Sequence, residues 1–186
     1  MAIREILIYP KQKKQLRTQS KPIKKIDNKT KQFIQNLKDT LKASPDGIGL
    51  AAPQINYQKR IIVACPDIDE HNEWQAGPPR VFINPEIIEA NDEGKDFDGC
   101  LSFPGLFGQT VRPHFLKVKW IDLKGKSQEQ VFAGFNAVLV HHEIDHLDGI
   151  LFIDRIEDIN DLYRQKKDGE GKYIHIGVRS DDTYLE

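Results

Sequence analysis

The sequence predicts an α+β fold, with mixed or antiparallel β-strands packed around a central helix near the C-terminus. Three observations carry that expectation. Residues 61–65 read Ile-Ile-Val-Ala-Cys, a short continuous apolar run of the kind found in strands buried on both faces. Phe115 to Ile121 alternates apolar residues with lysines, as a strand with one solvated face does. Two other stretches, near 28–43 and 134–147, have apolar residues at helical spacing, and helical and extended segments are segregated rather than strictly alternating.

The first helix begins at Asp27 or Asn28, either of which can cap it, and runs to about Ala43. Phe33, Ile34, Leu37 and Leu41 make its apolar stripe, and Ser44-Pro45-Asp46-Gly47 breaks it. Ile61 to Cys65 is a buried strand, with Cys65 a small core residue. Val81 to Pro85 and Ile87-Ile88 are further extended pieces around a proline. Phe115 to Ile121, a turn at Asp122 to Lys126 and a returning strand at Gln128 to Phe132 follow. The helical period resumes from about Gly134 to Leu147, with Gly149 where a C-terminal cap belongs. Beyond Asp154 the chain is polar, and Ile156, Ile159 and Leu162 are spaced for one more short helix. Residues 1–186 are expected to form one domain with a polar tail at 155–186.

Composition narrows the function. Among 186 residues, 27 Lys and Arg balance 28 Asp and Glu for a formal net charge of −1, which argues against a dedicated nucleic-acid or polybasic membrane binder. No apolar run is long enough to span a bilayer. The first ten residues lack a secretory pattern, so the expected location is cytoplasmic, with an organelle after transit-peptide removal as the alternative. Cys65 and Cys100 are then a core thiol and a candidate ligand or nucleophile rather than a disulfide. Residues 11–31 carry nine lysines and arginines against the single acid Asp27. That run reads as a solvated face; weak contact with ribosomal RNA is the alternative, without interleaved aromatics to support it.

His141-His142-Glu143-Ile144-Asp145-His146 is the most informative stretch. On a helix, His142 and His146 stack on one face and can bind one metal. Glu143 lies beside that metal without coordinating it, where a general base for an activated water is needed. Phe135, Val138 and Leu139 precede them on the helix, so the face is buried, and buried histidines without partners would be costly. A catalytic site wants a third ligand and an open position; His71, His114, His175, Cys65, Cys100 and the acids are candidates. Around Cys100, Gly99 and Pro104 mark a non-regular backbone. The glycine-rich stretch Gly47-Ile48-Gly49-Leu50-Ala51-Ala52-Pro53-Gln54 lacks the lysine of a phosphate loop. It suits either close backbone approach to a bound chain or a tight packed turn, and the Gln54 amide needs a partner in the protein or on a substrate.

Together and in this order, Gly47 to Gln54, Gly99-Cys100-Leu101-Ser102 followed by Pro104, and His142-Glu143-Ile144-Asp145-His146-Leu147 resemble the motifs of peptide deformylases. Arg60 to Val63 and Ile83-Asn84-Pro85 add to the likeness, which spans about Pro10 to Asp154. Asp98 stands where the family usually has glutamate, His141 where it usually has glutamine, and Phe107 where it commonly has arginine. The last change leaves contacts with the peptide beyond its methionine to Arg112 or to backbone.

The resemblance implies removal of the formyl group from the N-terminal formyl-methionine of new polypeptides, releasing formate. It implies one divalent metal held by Cys100, His142 and His146 with water in the fourth position. Family members commonly use Fe2+, are weaker with Zn2+, and Ni2+ is a further candidate; a ferrous thiolate site is expected to be oxygen-sensitive. Glu143 would take the water's proton and pass it to the departing amine, while the Gln54 amide and the Leu101 N–H meet the developing oxyanion. Gly47 and Gly49 would approach the substrate chain, Gly49 pairing with it like an added strand. Ile48, Phe135, Val138 and Leu139 are expected to wall the methionine pocket. Nascent formyl-methionyl peptides are the expected partner, with the ribosome as a further candidate, and no membrane or specific nucleic acid. Two other readings compete: a zinc peptidase on the same helix, for which His175 is the only later histidine, and a non-catalytic metal module, which would have no use for Glu143.

Overall fold

A computed structural model describes residues 2–45, 47–68, 76–167, 169 and 172–178. Asp46 of the helix break, His71 among the candidate ligands and the end of the tail, 179–186, lie outside the described residues. Within them the elements are α1 (Lys13–Leu16), α2 (Asn28–Ala43), β1 (Gly49–Ala51), β2 (Ile61–Ala64), β3 (Arg80–Gly99), β4 (Leu106–Ile121), β5 (Ser127–Ala133), α3 (Phe135–Leu147), β6 (Leu162–Lys167) and β7 (Tyr173–Gly177). The strands form one sheet in the order β1-β2-β3-β4-β6-β7, with β5 also paired to β4. Every ladder is antiparallel, so the mixed alternative falls away. Among the described residues no helix is long and apolar enough to cross a membrane.

The unbroken apolar run of β2 has a simple cause. Ile62 and Ala64 face a core built with Ala137, Val140, Ile144 and Leu147 of α3. Ile61, Val63 and Cys65 face the other way, into a core with Ile34, Leu37 and Leu41 of α2. The two long helices thus cover opposite faces of the sheet, and a strand between them has no solvated side. Helix α2 starts as expected, with Asp27 Oδ1 accepting from the Thr30 N–H at 2.8 Å.

Three expectations change. The two extended pieces around Pro85 are one 20-residue strand, β3, whose register against β4 shifts between Ile83 and Glu86 and between Ile87 and Glu89. Past those irregularities most of its residues are exposed and polar up to Asp98, so a backbone ladder holds them without the apolar alternation that sequence patterns detect. The glycine-rich segment is a short buried strand, β1, followed by a 3₁₀ turn over Ala52–Ile55, not a simple turn. The short helix expected around Ile156 to Leu162 is absent: single 3₁₀ turns occupy Phe152–Arg155 and Ile159–Asp161, and Leu162 enters β6 opposite Gly108. Ile156 packs there instead, its Cδ1 2.6 Å from where a Cβ on Gly108 would lie. The hairpin of β6 and β7 therefore extends the sheet with part of the polar tail.

Helix α3 begins after Gly134, at φ 56°, and ends before Gly149, at φ 74°, both left-handed positions suited to glycine. From Ala137 to Leu147 all its residues are buried. Histidines and carboxylates that would normally face water are therefore inside, and each needs a partner.

Candidate active site

The site lies where the end of β3 meets the middle and last turn of α3 and the edge strand β1. Cys100 follows the last residue of β3, in a turn in which the Phe103 N–H donates to the Cys100 carbonyl at 2.8 Å. His142 and His146 sit one turn apart on α3, their ring centroids 5.0 Å apart and inclined by 69°. One donor atom from each of Cys100, His142 and His146 lies within 4.8 Å of the others. Cys100 Sγ is 3.2 Å from His146 Nε2. Of the candidates for third ligand, the structure thus brings Cys100 to the two helical histidines.

A buried polar shell orients this group. Asp98 Oδ1 accepts from His142 Nδ1 at 2.9 Å, leaving Nε2 for a metal. Its Oδ2 accepts from Arg112 Nε at 2.9 Å and from Thr110 Oγ1 at 3.2 Å. Burial would raise the Asp98 carboxyl, but the charges of His142 and Arg112 outweigh it and hold the group well below the usual carboxylate range. Burial likewise opposes the charge on His142, yet Asp98 and then Cys100 keep its value well above that of an ordinary imidazole. His146, by contrast, is pushed well below it by burial and by the charge of His142.

Arg112 has no exposed surface. Besides Asp98 it donates to Asp145 Oδ2 at 2.7 Å, and its Nη1 lies 2.8 Å from His141 Nδ1. It therefore has no free face for a substrate, and the expected peptide contact does not form. Sequence reasoning missed its role because an arginine between Val111 and Pro113 carries no local signal for burial. Asp145 is not a solvent-facing acid: it also accepts from Arg155 at 2.7 Å, and it is buried. His141 is not part of the metal group; its Nδ1 lies against Arg112, and burial lowers its value to about 4.

Glu143 is 4% exposed, and its Oε2 is buried with no hydrogen-bond partner among the described residues. Burial raises its carboxyl to about 7, against the opposing charge of His142, which suits a group that must accept and release a proton near neutrality. Its side chain presses on β1: a Cβ on Gly49 would lie 2.3 Å from Glu143 Oε1. Gln54, 1% exposed, accepts from the Ala51 N–H at 2.8 Å. Its Nε2 is then turned to Ser102 Oγ at 3.2 Å and Cys100 Sγ at 3.5 Å, so the amide found protein partners at the mouth of the metal group.

These residues open into a cavity of about 480 Å³. Gly47, Ile48 and Gly49 form one wall, Leu101 and Gln54 another, and Phe135, Val138 and Leu139 a third. Of the residues expected to touch substrate, Gly47, Ile48, Gly49, Gln54, Leu101, Phe135, Val138, Leu139 and Glu143 line that surface, and Arg112 does not. Among the described residues β1 pairs with β2 alone, which leaves its other edge without a strand partner.

The donor set fits a metal. A thiolate and two imidazoles at these separations are close to what tetrahedral zinc or iron requires. Glu143 Oε2 is a buried polar atom beside the group without a partner among the described residues, which marks a site built to hold something more than itself.

The profile of the polypeptide deformylase family matches residues 3–161. The peptide deformylase of Phenylobacterium zucineum is 40% identical over 157 residues, covering 84% of this chain and 89% of that protein. The crystal structure of peptide deformylase from Thermotoga maritima superposes with a TM-score of 0.74 at 34% identity, over 85% of this chain and all of the other. A class I type b peptide deformylase from Acinetobacter baumannii, with Met-Ala-Ser bound, gives 0.75 at 31% identity, over 83% and 99%.

Proposed function

The chain belongs to the polypeptide deformylase family and removes the formyl group from the N-terminus of new polypeptides; on that premise we propose how its residues divide the work. Cys100, His142 and His146 hold the divalent metal, and the observation that carries this reading is the 3.2 Å approach of Cys100 Sγ to His146 Nε2 beside an unpartnered Glu143 carboxylate. When bound, the metal supplies Lewis-acid polarisation of the formyl carbonyl and a lowered pKa for the attacking water. We propose ferrous iron as the working metal; one sulfur and two nitrogens suit it as well as zinc, and ferrous iron is the common choice of the family.

The other steps belong to the chain. Glu143 removes a proton from the water that attacks the formyl carbon, then returns it to the amine as the C–N bond breaks, leaving formate and a free amino terminus. Gln54 Nε2 and the Leu101 N–H donate to the formyl oxygen as negative charge builds there. Gly47 and Gly49 admit the peptide backbone along the unpaired edge of β1, and Ile48, Phe135, Val138 and Leu139 enclose the methionine side chain. Residues 1–186 are read as one catalytic domain, working in the cytoplasm on chains leaving the ribosome.

Formate release from formyl-Met-Ala-Ser tests the reading, with protein purified anaerobically and loaded separately with ferrous iron, nickel and zinc. Release that depends on the metal and is fastest and air-sensitive with iron is expected. Full metal occupancy without formate would overturn it.

A further inference from the structure

Phe107 lies on β4 at the cavity, and its surroundings are aromatic. Its ring stacks on Phe97, centroids 5.5 Å apart and planes within 8°. The His175 ring lies 5.4 Å from Phe97 and 5.5 Å from Phe107. Sheet register puts all three on one face: Phe97 is opposite Gln109, Phe107 opposite Tyr163, and His175 opposite Gln165. Side chains on one face of a sheet alternate with period two, so the cluster is built by β3, β4 and the C-terminal hairpin together.

This face reaches the cavity. Phe97, Phe107 and Gln165 line it along with Cys100 and Glu143. Phe97 is nonetheless 47% exposed, a large apolar ring beside a binding groove. It lies three positions before Cys100, roughly 10 Å of extended chain. A peptide whose formyl group is at Cys100 covers that distance by its second or third residue.

Resting on the deformylase reading above, we propose that Phe97, Phe107 and His175 form a specificity-determining shelf for the side chain at the second or third position of the peptide. The shelf favours apolar and aromatic side chains, which bury surface on the stacked rings. It disfavours acidic ones, which lose hydration there and meet no lysine or arginine among the described residues that line the cavity.

The test is formate release from two peptide series, formyl-Met-Ala-X and formyl-Met-X-Ala, with X as Phe, Leu, Ser or Asp. The expected kcat/KM ratio of Phe to Asp is about 3- to 10-fold at one of the two positions, the range of one aromatic contact, and is carried by KM. In Phe97→Ser, in His175→Ala and in the double variant the ratio falls towards one, whereas the control Val131→Ser, on exposed β5, keeps it. A wild-type ratio near one at both positions would overturn the shelf. So would a ratio that survives in a folded double variant. No formate from any peptide would overturn the deformylase reading, and the shelf with it.

Discussion

The Asp98 carboxylate joins His142 to Arg112: one oxygen is 2.9 Å from His142 Nδ1 and the other 2.9 Å from Arg112 Nε. The short aspartate side chain therefore spans the gap between the two. Its consequence is directional, because a histidine whose Nδ1 donates to a carboxylate presents Nε2 as a lone pair.

Replacing Asp98 by Asn removes the charge that fixes this orientation. Metal affinity should fall by about 10- to 100-fold, read as metal retained after dialysis against a graded chelator. Unchanged retention would mean that α3 alone orients His142.

Gly49 packs directly against the Glu143 carboxylate. In Gly49→Ala the new methyl, 2.3 Å from Oε1 and 2.7 Å from Cδ, must displace the carboxylate. A misplacement on the order of 1 Å typically costs about 10²-fold in rate. Glu143→Gln should lose about 10²- to 10⁴-fold. Metal content should stay full in both variants, measured by elemental analysis beside formate release; turnover unaffected by Glu143→Gln would remove Glu143 from the mechanism.

Arg112 balances two buried carboxylates. Arg112→Leu leaves Asp98 with His142 alone as its charged partner and takes from Asp145 one of its two arginines. Breaking such a buried pair costs about 3–5 kcal/mol, visible as a lower urea midpoint. Arg112→Lys should recover only part of it, since an ammonium cannot reproduce the forked donors of guanidinium.

The α2 cap gives a pH test remote from the site. The Asp27 carboxyl is lowered from its ordinary 3.8, chiefly by the hydrogen bond from the Thr30 N–H. A group whose folded value is depressed contributes stability above its unfolded value and loses it as pH falls through the folded one. Asp27→Ala should therefore be less stable than wild type in urea at neutral pH. The gap should close below about pH 3.8, where the wild-type carboxyl protonates too; a gap independent of pH would assign the cap to something other than its charge.

The helix carrying His142, Glu143 and His146, the cap at Asp27 and the doubly buried β2 were legible in the sequence. Each rests on local periodicity or on side-chain hydrogen bonds a few residues away. Spacing of i and i+4 suffices to put two imidazoles on one face, and a continuous apolar run suffices for a strand between two layers. The motifs around Gly49 and Cys100 identified the family, but what they do depends on distance. Only the fold brings Cys100, 46 residues away along the chain, to 3.2 Å from His146. Only it lays Gly49 against Glu143.

The same division explains what sequence could not reveal. The polar outer half of β3 is held by backbone ladder bonds, which leave no side-chain pattern. Arg112 looks like a surface residue until β4 lies beneath α3, where two carboxylates make its burial tolerable. The aromatic cluster of Phe97, Phe107 and His175 spans 79 positions and exists because three strands share one face. Local chemistry decided which elements form and which atoms can bind a metal; contacts remote in sequence, set by how the layers pack, decided which of them meet.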